Sequence, residues 1–209
     1  MNVMNTQQAI SELIALGKWI GAKGWVPATG GNFSIRADDC FVVTASGFDK
    51  GALNNKCFLN VNSAGDILNG NGKPSAETAL HLALYELSLD THCVLHTHSV
   101  AATVLSRYIK GDVFSVSGYE MQKSLTGYTS HQDTLSIAIF DNDQDMNRLA
   151  QTVRDYFSNQ SHKLQHGILI RGHGLYAFGQ NPAQTKQHLE GLEFLFACEL
   201  ERIKLEAAL

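Results

Sequence analysis

The chain lacks most of what would mark an extracellular, membrane or nucleic-acid-binding protein. Of its 209 residues only four are cysteine and three are proline. Cys40, Cys57, Cys93 and Cys198 lie far apart with no CxxC pair, so they read as reduced, packed thiols and not as a disulfide framework or a thiolate metal site. Lys and Arg never form a run and the formal net charge is −4, which leaves no electrostatic footprint for nucleic acid. No apolar stretch approaches the roughly 18 residues a membrane helix needs. The opening "MNVMNTQQAI" has neither the basic segment nor the apolar run of a secretory signal. There is no low-complexity tract, repeat or linker. With 44% hydrophobic residues, enough for a real core, the expectation is a soluble cytoplasmic protein made of a single domain over residues 1–209.

What is present is a regular alternation of short elements. Ala9, Ile10, Leu13, Leu16, Trp19 and Ile20 form a helical stripe between Thr6 and Lys23. Short β-like runs follow, "NFSIR", "CFVVTAS", "CFLNV" and "GDIL", separated by Gly, Asn and Asp. "KPSAETALHLALYELS" reads as a helix with Ser75 as its N-cap. After it come the strand "CVLHTH", a helix over "VAATVLSRYI", strands in "DVFSVS" and "LSIAIFDN", and a helix over "DMNRLAQTVRDYF". "GILIRGHGLYAFG" reads as a strand, and a long helix runs from N-cap Asn181 and Pro182 to about Leu205. Several strands are too close in sequence for βαβ crossovers. The expected fold is therefore α/β of an α+β-like kind, a mostly antiparallel mixed sheet flanked by helices.

Histidine carries the chemistry. In "VLHTHS" a strand sends alternate side chains to one face, so His96 and His98 point the same way with Cα atoms about 6–7 Å apart. That spacing lets two imidazoles share an ion at about 2.0–2.1 Å each, although a bare HxH reads as readily as an ordinary histidine pair. His173 stands between Gly172 and Gly174, where the backbone can approach a site closely and nothing shields the ring. Three histidines with an open position match a catalytic zinc site better than a structural one. "TGGN" and "SGFDK" offer backbone N–H groups, an amide, a hydroxyl and Lys50, a nest suited to phosphate, or simply two turns. Phe48, Tyr119, Tyr128 and Tyr176 are aromatic wall candidates that serve equally as core.

Taken in order, "TGGNFSIR", "TASGFDKG", "PSAETALH", "LHTHS" and "RGHGLYAFG" resemble the class II aldolase/adducin family, over about residues 6–205. The resemblance implies an antiparallel sheet with helices on both sides and one Zn2+ per subunit on His96, His98 and His173. It also implies a phosphate site at Gly31, Asn32, Ser46, Gly47 and Ser75, to which Lys50 is added as a sixth binding residue, in a symmetric homotetramer with active sites between subunits. A second serine of many such aldolases is here Ala76. Glu77 in "PSAE" matches the family's acid/base glutamate. "YEMQK" is similar to the glutamate segment of the dehydratase branch, which implies Glu120 as acid/base with Glu77 as second base or orienting group, two roles the sequence does not separate.

The activity implied is loss of water from 5-methylthioribulose 1-phosphate, a step of methionine salvage. Class II sugar-phosphate aldolase, ribulose-phosphate 4-epimerase and a non-catalytic adducin-like interaction domain are the alternatives. The small-molecule partner is a sugar phosphate, with neither nucleic acid nor membrane involved.

Overall fold

The computed structural model describes residues 4–159 and 163–208; the first three residues of the opening segment and Leu209 lie outside them. Helix α1, Thr6–Ala22, starts where Asn5 and Gln8 close a reciprocal capping box, and it buries Ala9, Leu13, Leu16 and Ile20. Strands β1 (Asn32–Arg36), β2 (Phe41–Thr44), β3 (Phe58–Val61) and β4 (Ile67–Asn69) form an antiparallel meander. Helix α2 (Thr78–Leu87), strand β5 (Cys93–Thr97), helix α3 (Val100–Tyr108) and strand β6 (Val113–Val116) follow. The chain closes with β7 (Leu135–Phe140), α4 (Met146–Ser158), β8 (Gly167–Ile170), β9 (Gly174–Gly179) and α5 (Pro182–Ala207).

All nine strands join one sheet in the order β4-β3-β2-β1-β5-β9-β8-β7-β6. Every neighbouring pair is antiparallel except β7 with β8, which is the mixed, mostly antiparallel sheet the short spacings imply. One face carries a core of Leu13, Ile20, Leu95, Leu105, Leu175 and Leu192, covered by α1, α3 and α5. The other buries Leu80, Leu84, Val94, Leu149, Val153 and Tyr176 beneath α2 and α4. Alternation along β5 therefore sends Leu95 and Thr97 toward α5, and Val94 and His96 toward α2.

Two local expectations need correction. Ser75 is not the N-cap of α2, which begins at Thr78 with Glu77 in the cap position. A bridge between Ala45 and Pro74 keeps the approach extended, and the Thr78 N–H donates to the Ser75 carbonyl in a turn before the helix. "GILIRGHGLYAFG" is not one strand but a hairpin of β8 and β9. The His173 N–H donates to the Ile170 carbonyl at 3.0 Å, and Gly172 adopts a left-handed φ of 66° to make the turn. Continuous apolar character hid a three-residue reversal. At the C-terminal helix, Asn181 accepts the Gln184 N–H and Pro182 occupies the first turn, as the sequence indicates.

Candidate metal centre

β5 is the middle strand of the sheet, and its C-terminal end brings His96 and His98 to the mouth of the fold. His98 lies one residue beyond the strand, where its N–H donates to the Trp25 carbonyl at 2.7 Å. His173 arrives from the β8–β9 turn, because β9 pairs with β5 and places Tyr176 opposite His96. The two backbones approach so closely that a Cβ on Gly174 would lie 1.9 Å from the Thr97 carbonyl oxygen. Only glycine fits there. On the other side, Gly30 and Gly31 cross above the same histidines, with Gly31 at φ 74°. A Cβ on Gly31 would lie 2.6 Å from the His96 carbonyl oxygen, and one on Gly30 2.7 Å from His98 Nδ1.

The three rings converge by their Nε2 atoms. His98 Nε2 lies 2.8 Å from His96 Nε2, and His173 Nε2 lies 3.3 Å from it. Glu77, at the start of α2, completes the group, with Oε1 at 3.0 Å from His173 Nε2 and Oε2 at 3.5 Å from His96 Nε2. One donor atom from each of the four residues falls within 4.8 Å of the others. Ligands at 2.0–2.1 Å around a tetrahedral ion stand about 3.3–3.4 Å apart, so the His96–His173 spacing fits one and the His96–His98 pair is somewhat tighter.

The surroundings set the protonation the cluster needs. A carbonyl only accepts, so His96 Nδ1, 2.9 Å from the Leu175 oxygen, carries the proton and leaves the Nε2 lone pair facing inward. Tyr176 stacks on the same ring, with centroids 3.9 Å apart. Burial holds His96 well below the usual imidazole range, with Glu77 opposing and the other two histidines reinforcing. His98 is lowered in the same way, chiefly by burial and then by His173. Burial alone would raise the Glu77 carboxyl. Its hydrogen bonds with His173 and Asn32 and the pull of His96 and His173 instead keep it well below the ordinary carboxylate range. Imidazoles kept neutral at His96 and His98 beside the Glu77 carboxylate are what a divalent cation requires, so the donor set fits a metal ion.

A cavity of about 300 Å³ opens beside the cluster, and it is lined by all six residues assigned to the phosphate: Gly31, Asn32, Ser46, Gly47, Lys50 and Ser75. Three of their side chains are already engaged, the Ser75 hydroxyl by accepting the Glu77 N–H at 3.3 Å. Asn32 donates its side-chain N–H to Glu77, which links cavity to cluster. The Lys50 ammonium donates to the carbonyls of Thr29 and Phe48, both at 2.7 Å, and so braces the loops. Burial lowers its pKa, against the pull of Asp49 and Glu77. Glu120 is not in this cluster. It opens a short 3-10 turn, Glu120–Ser124, where its exposed carboxylate meets Lys123 Nζ at 2.5 Å and His131 Nδ1 at 3.7 Å.

Residue reasoning assigned Glu77 to proton transfer but did not place it against the histidines. It also missed the Leu175 carbonyl and the Tyr176 ring as supports. None has a local signature, since each contact spans a long stretch of chain. Tyr176 is therefore core as well as site wall, and Tyr119 spends its hydroxyl on Glu199 at 2.8 Å.

The family model for the Class II Aldolase and Adducin N-terminal domain matches residues 11–200. A methylthioribulose-1-phosphate dehydratase from Pseudoalteromonas translucida (strain TAC 125) is 56% identical, covering 97% of this chain and 95% of its own. One of the same name from Klebsiella pneumoniae (strain 342) is 49% identical, covering 96% and 98%. Among solved structures, an L-fuculose 1-phosphate aldolase superposes with a TM-score of 0.79 at 20% identity, covering 98% of this chain and 91% of that one. The L-fuculose-1-phosphate aldolase of Thermus thermophilus gives 0.74 at 22% identity, covering 95% and 97%. The sheet order, the converging histidines and these likenesses agree: the chain belongs to the class II aldolase and adducin family.

Proposed function

We propose that this chain is a metal-dependent hydro-lyase that converts 5-methylthioribulose 1-phosphate to 2,3-diketo-5-methylthiopentyl 1-phosphate, as a step of methionine salvage. The observation that carries the reading is the convergence of three histidine Nε2 atoms and Glu77 at the inner end of a cavity walled by N–H and hydroxyl groups. Relatives matched over nearly their whole length and named for this activity supply the substrate.

His96, His98 and His173 would hold the ion, with Zn2+, one of several metals that imidazole suits, the choice of the family. Such an ion would supply Lewis acidity toward the substrate's ketone. The rest of the work belongs to the chain. Gly31, Asn32, Ser46, Gly47 and Ser75 bind the phosphate, and Lys50 holds their loops in place. Phosphate anchored there points the C2 ketone and C3 toward the histidines. Dehydration removes the proton at C3, breaks the C4–oxygen bond and returns a proton to the leaving hydroxyl, so one base and one acid are required. The C3 enol so formed becomes the 2,3-diketone when its hydroxyl proton is lost and C4 gains one. Glu77 is held as an anion at the cluster and orients or accepts. Glu120 is the acid/base and is exposed in its own subunit, so it serves the site of a neighbouring copy, within a cytoplasmic homotetramer of single-domain subunits.

The product assay tests the proposal. Incubation with methylthioribulose 1-phosphate should release water and a diketone, while fuculose 1-phosphate should yield no aldehyde. Aldehyde release without diketone formation would replace the dehydratase with an aldolase. Fewer than about 0.1 equivalents of divalent metal in gently purified protein, with neither product formed, would favour a non-catalytic domain.

A further inference from the structure

One buried carboxylate has no part in the chemistry above. Glu193 lies on α5, on the face of the sheet opposite the cluster, and is 3% exposed. Its Oε1 accepts the Thr97 hydroxyl at 2.8 Å, and Thr97 is the residue between the two histidines of the HxH pair. The Ser99 hydroxyl, which caps α3 by accepting the Ala102 N–H at 3.0 Å, faces the same carboxylate from the other side of His98. One neighbour of His98 is thus hydrogen-bonded to this carboxylate and the other stands beside it, while Glu193 Oε2 accepts no hydrogen bond among the described residues. The connection continues along α3, where Thr103 Oγ1 donates to the His173 carbonyl at 2.9 Å and Ser106 Oγ accepts the Gly172 N–H at 3.0 Å. Hydrogen bonds therefore hold α3 to the turn bearing His173, and Glu193 anchors the end of β5 from which α3 departs.

We propose that Glu193 is a positioning residue for the metal ligands, acting through Thr97 to fix where His98 and His173 stand. Packing alone does not call for a carboxylate here, since Leu or Met would fill the space between Leu192 and Leu195 without a desolvation cost. Burial pushes this carboxyl up to about 7, even against the Ser99 and Thr97 hydroxyls, so the fold maintains the group at a cost to its own stability. Outer partners of metal ligands commonly change affinity by about 10–100-fold when removed, and they act by orientation.

The inference rests on the metal reading of the cluster, and the test separates the two. Metal dissociation constants are measured by chelator competition on the full chain, with visible absorption of the Co2+ form and far-UV circular dichroism alongside. Glu193→Leu and Thr97→Val should each weaken binding by about 10–100-fold and shift the Co2+ bands, with the helical signal retained. The double variant should be within about threefold of the weaker single, because both substitutions break one connection. Thr97→Ser, which keeps the hydroxyl, should stay within about threefold of the parent. If the parent binds no metal, the reading of the cluster fails. If the parent binds and Thr97→Val binds within twofold with unchanged bands, the cluster stands and the role of Glu193 is overturned. Should Glu193→Leu not fold, Thr97→Val and its serine counterpart decide alone.

Discussion

Two pairs of histidine rings, all buried but the half-buried His98, stand equally close in this molecule and mean opposite things. His96 and His98 have ring centroids 4.7 Å apart, and so do His166 and His188. In the second pair three of the four ring nitrogens are spent on nearby groups, and His166 Nδ1 alone has no partner among the described residues. His166 Nε2 donates to the Thr126 carbonyl at 2.7 Å, and His188 Nδ1 donates to the Phe178 carbonyl at 2.8 Å. His188 Nε2 accepts the Thr126 hydroxyl at 3.0 Å, which itself accepts from Gln184. In the first pair a carbonyl takes only the outer nitrogen of His96, and the inner Nε2 atoms face one another, His173 and Glu77. Closeness and burial do not distinguish a binding cluster from a structural one. The direction of the uncommitted lone pairs does.

That contrast breaks most visibly under His98→Ala, which should lose metal and at least about 1000-fold in turnover. His188→Gln should keep both, as atomic emission and the product assay would read. Next in size is the metal's effect on stability. Ion at a hundred times its dissociation constant should add about 2.7 kcal/mol in the parent and in His188→Gln, and nothing in His98→Ala, by urea denaturation with and without chelator. The third concerns acid. Burial first, reinforced by His188 and opposed by the Thr126 bond, depresses His166 to about 4. A depressed folded-state histidine leaves stability intact above the unfolded value of about 6.5 and removes it as pH falls toward 4, by roughly 2–3 kcal/mol here. The difference in unfolding free energy between parent and His166→Asn, followed from pH 7.5 to 4.5, should show it; Asn tolerates the position's left-handed φ of 60°. The smallest effect expected is Gly172→Ala, which at φ 66° should cost about 1 kcal/mol in urea while metal affinity falls only a few fold.

Much of this was legible in the chain. The HxH pair at a strand end, the glycine-flanked third histidine and the Asn181–Pro182 helix start are local signals, and each stands where its spacing placed it. The start of α2 was misjudged because Ser75 looks like a cap, yet the bridge at Pro74 holds it outside the helix. The β8–β9 hairpin was hidden because its turn is only three residues long and both strands are fully buried, which removes the polar alternation that marks a reversal. The contacts of Glu77 with His96, His173 and Asn32, and of Glu193 with Thr97, join residues distant in sequence. Such pairings follow from sheet order, which no short motif encodes.

The place of β5 in that order has a last consequence. Four strands lie on either side of it, so sheets that fray from their margins open here last. An ion seated at its end cannot escape by partial unravelling of the molecule and must leave by the way the substrate enters. Phosphoketose bound in that passage would act as a stopper, slowing exchange of the ion for as long as it stays.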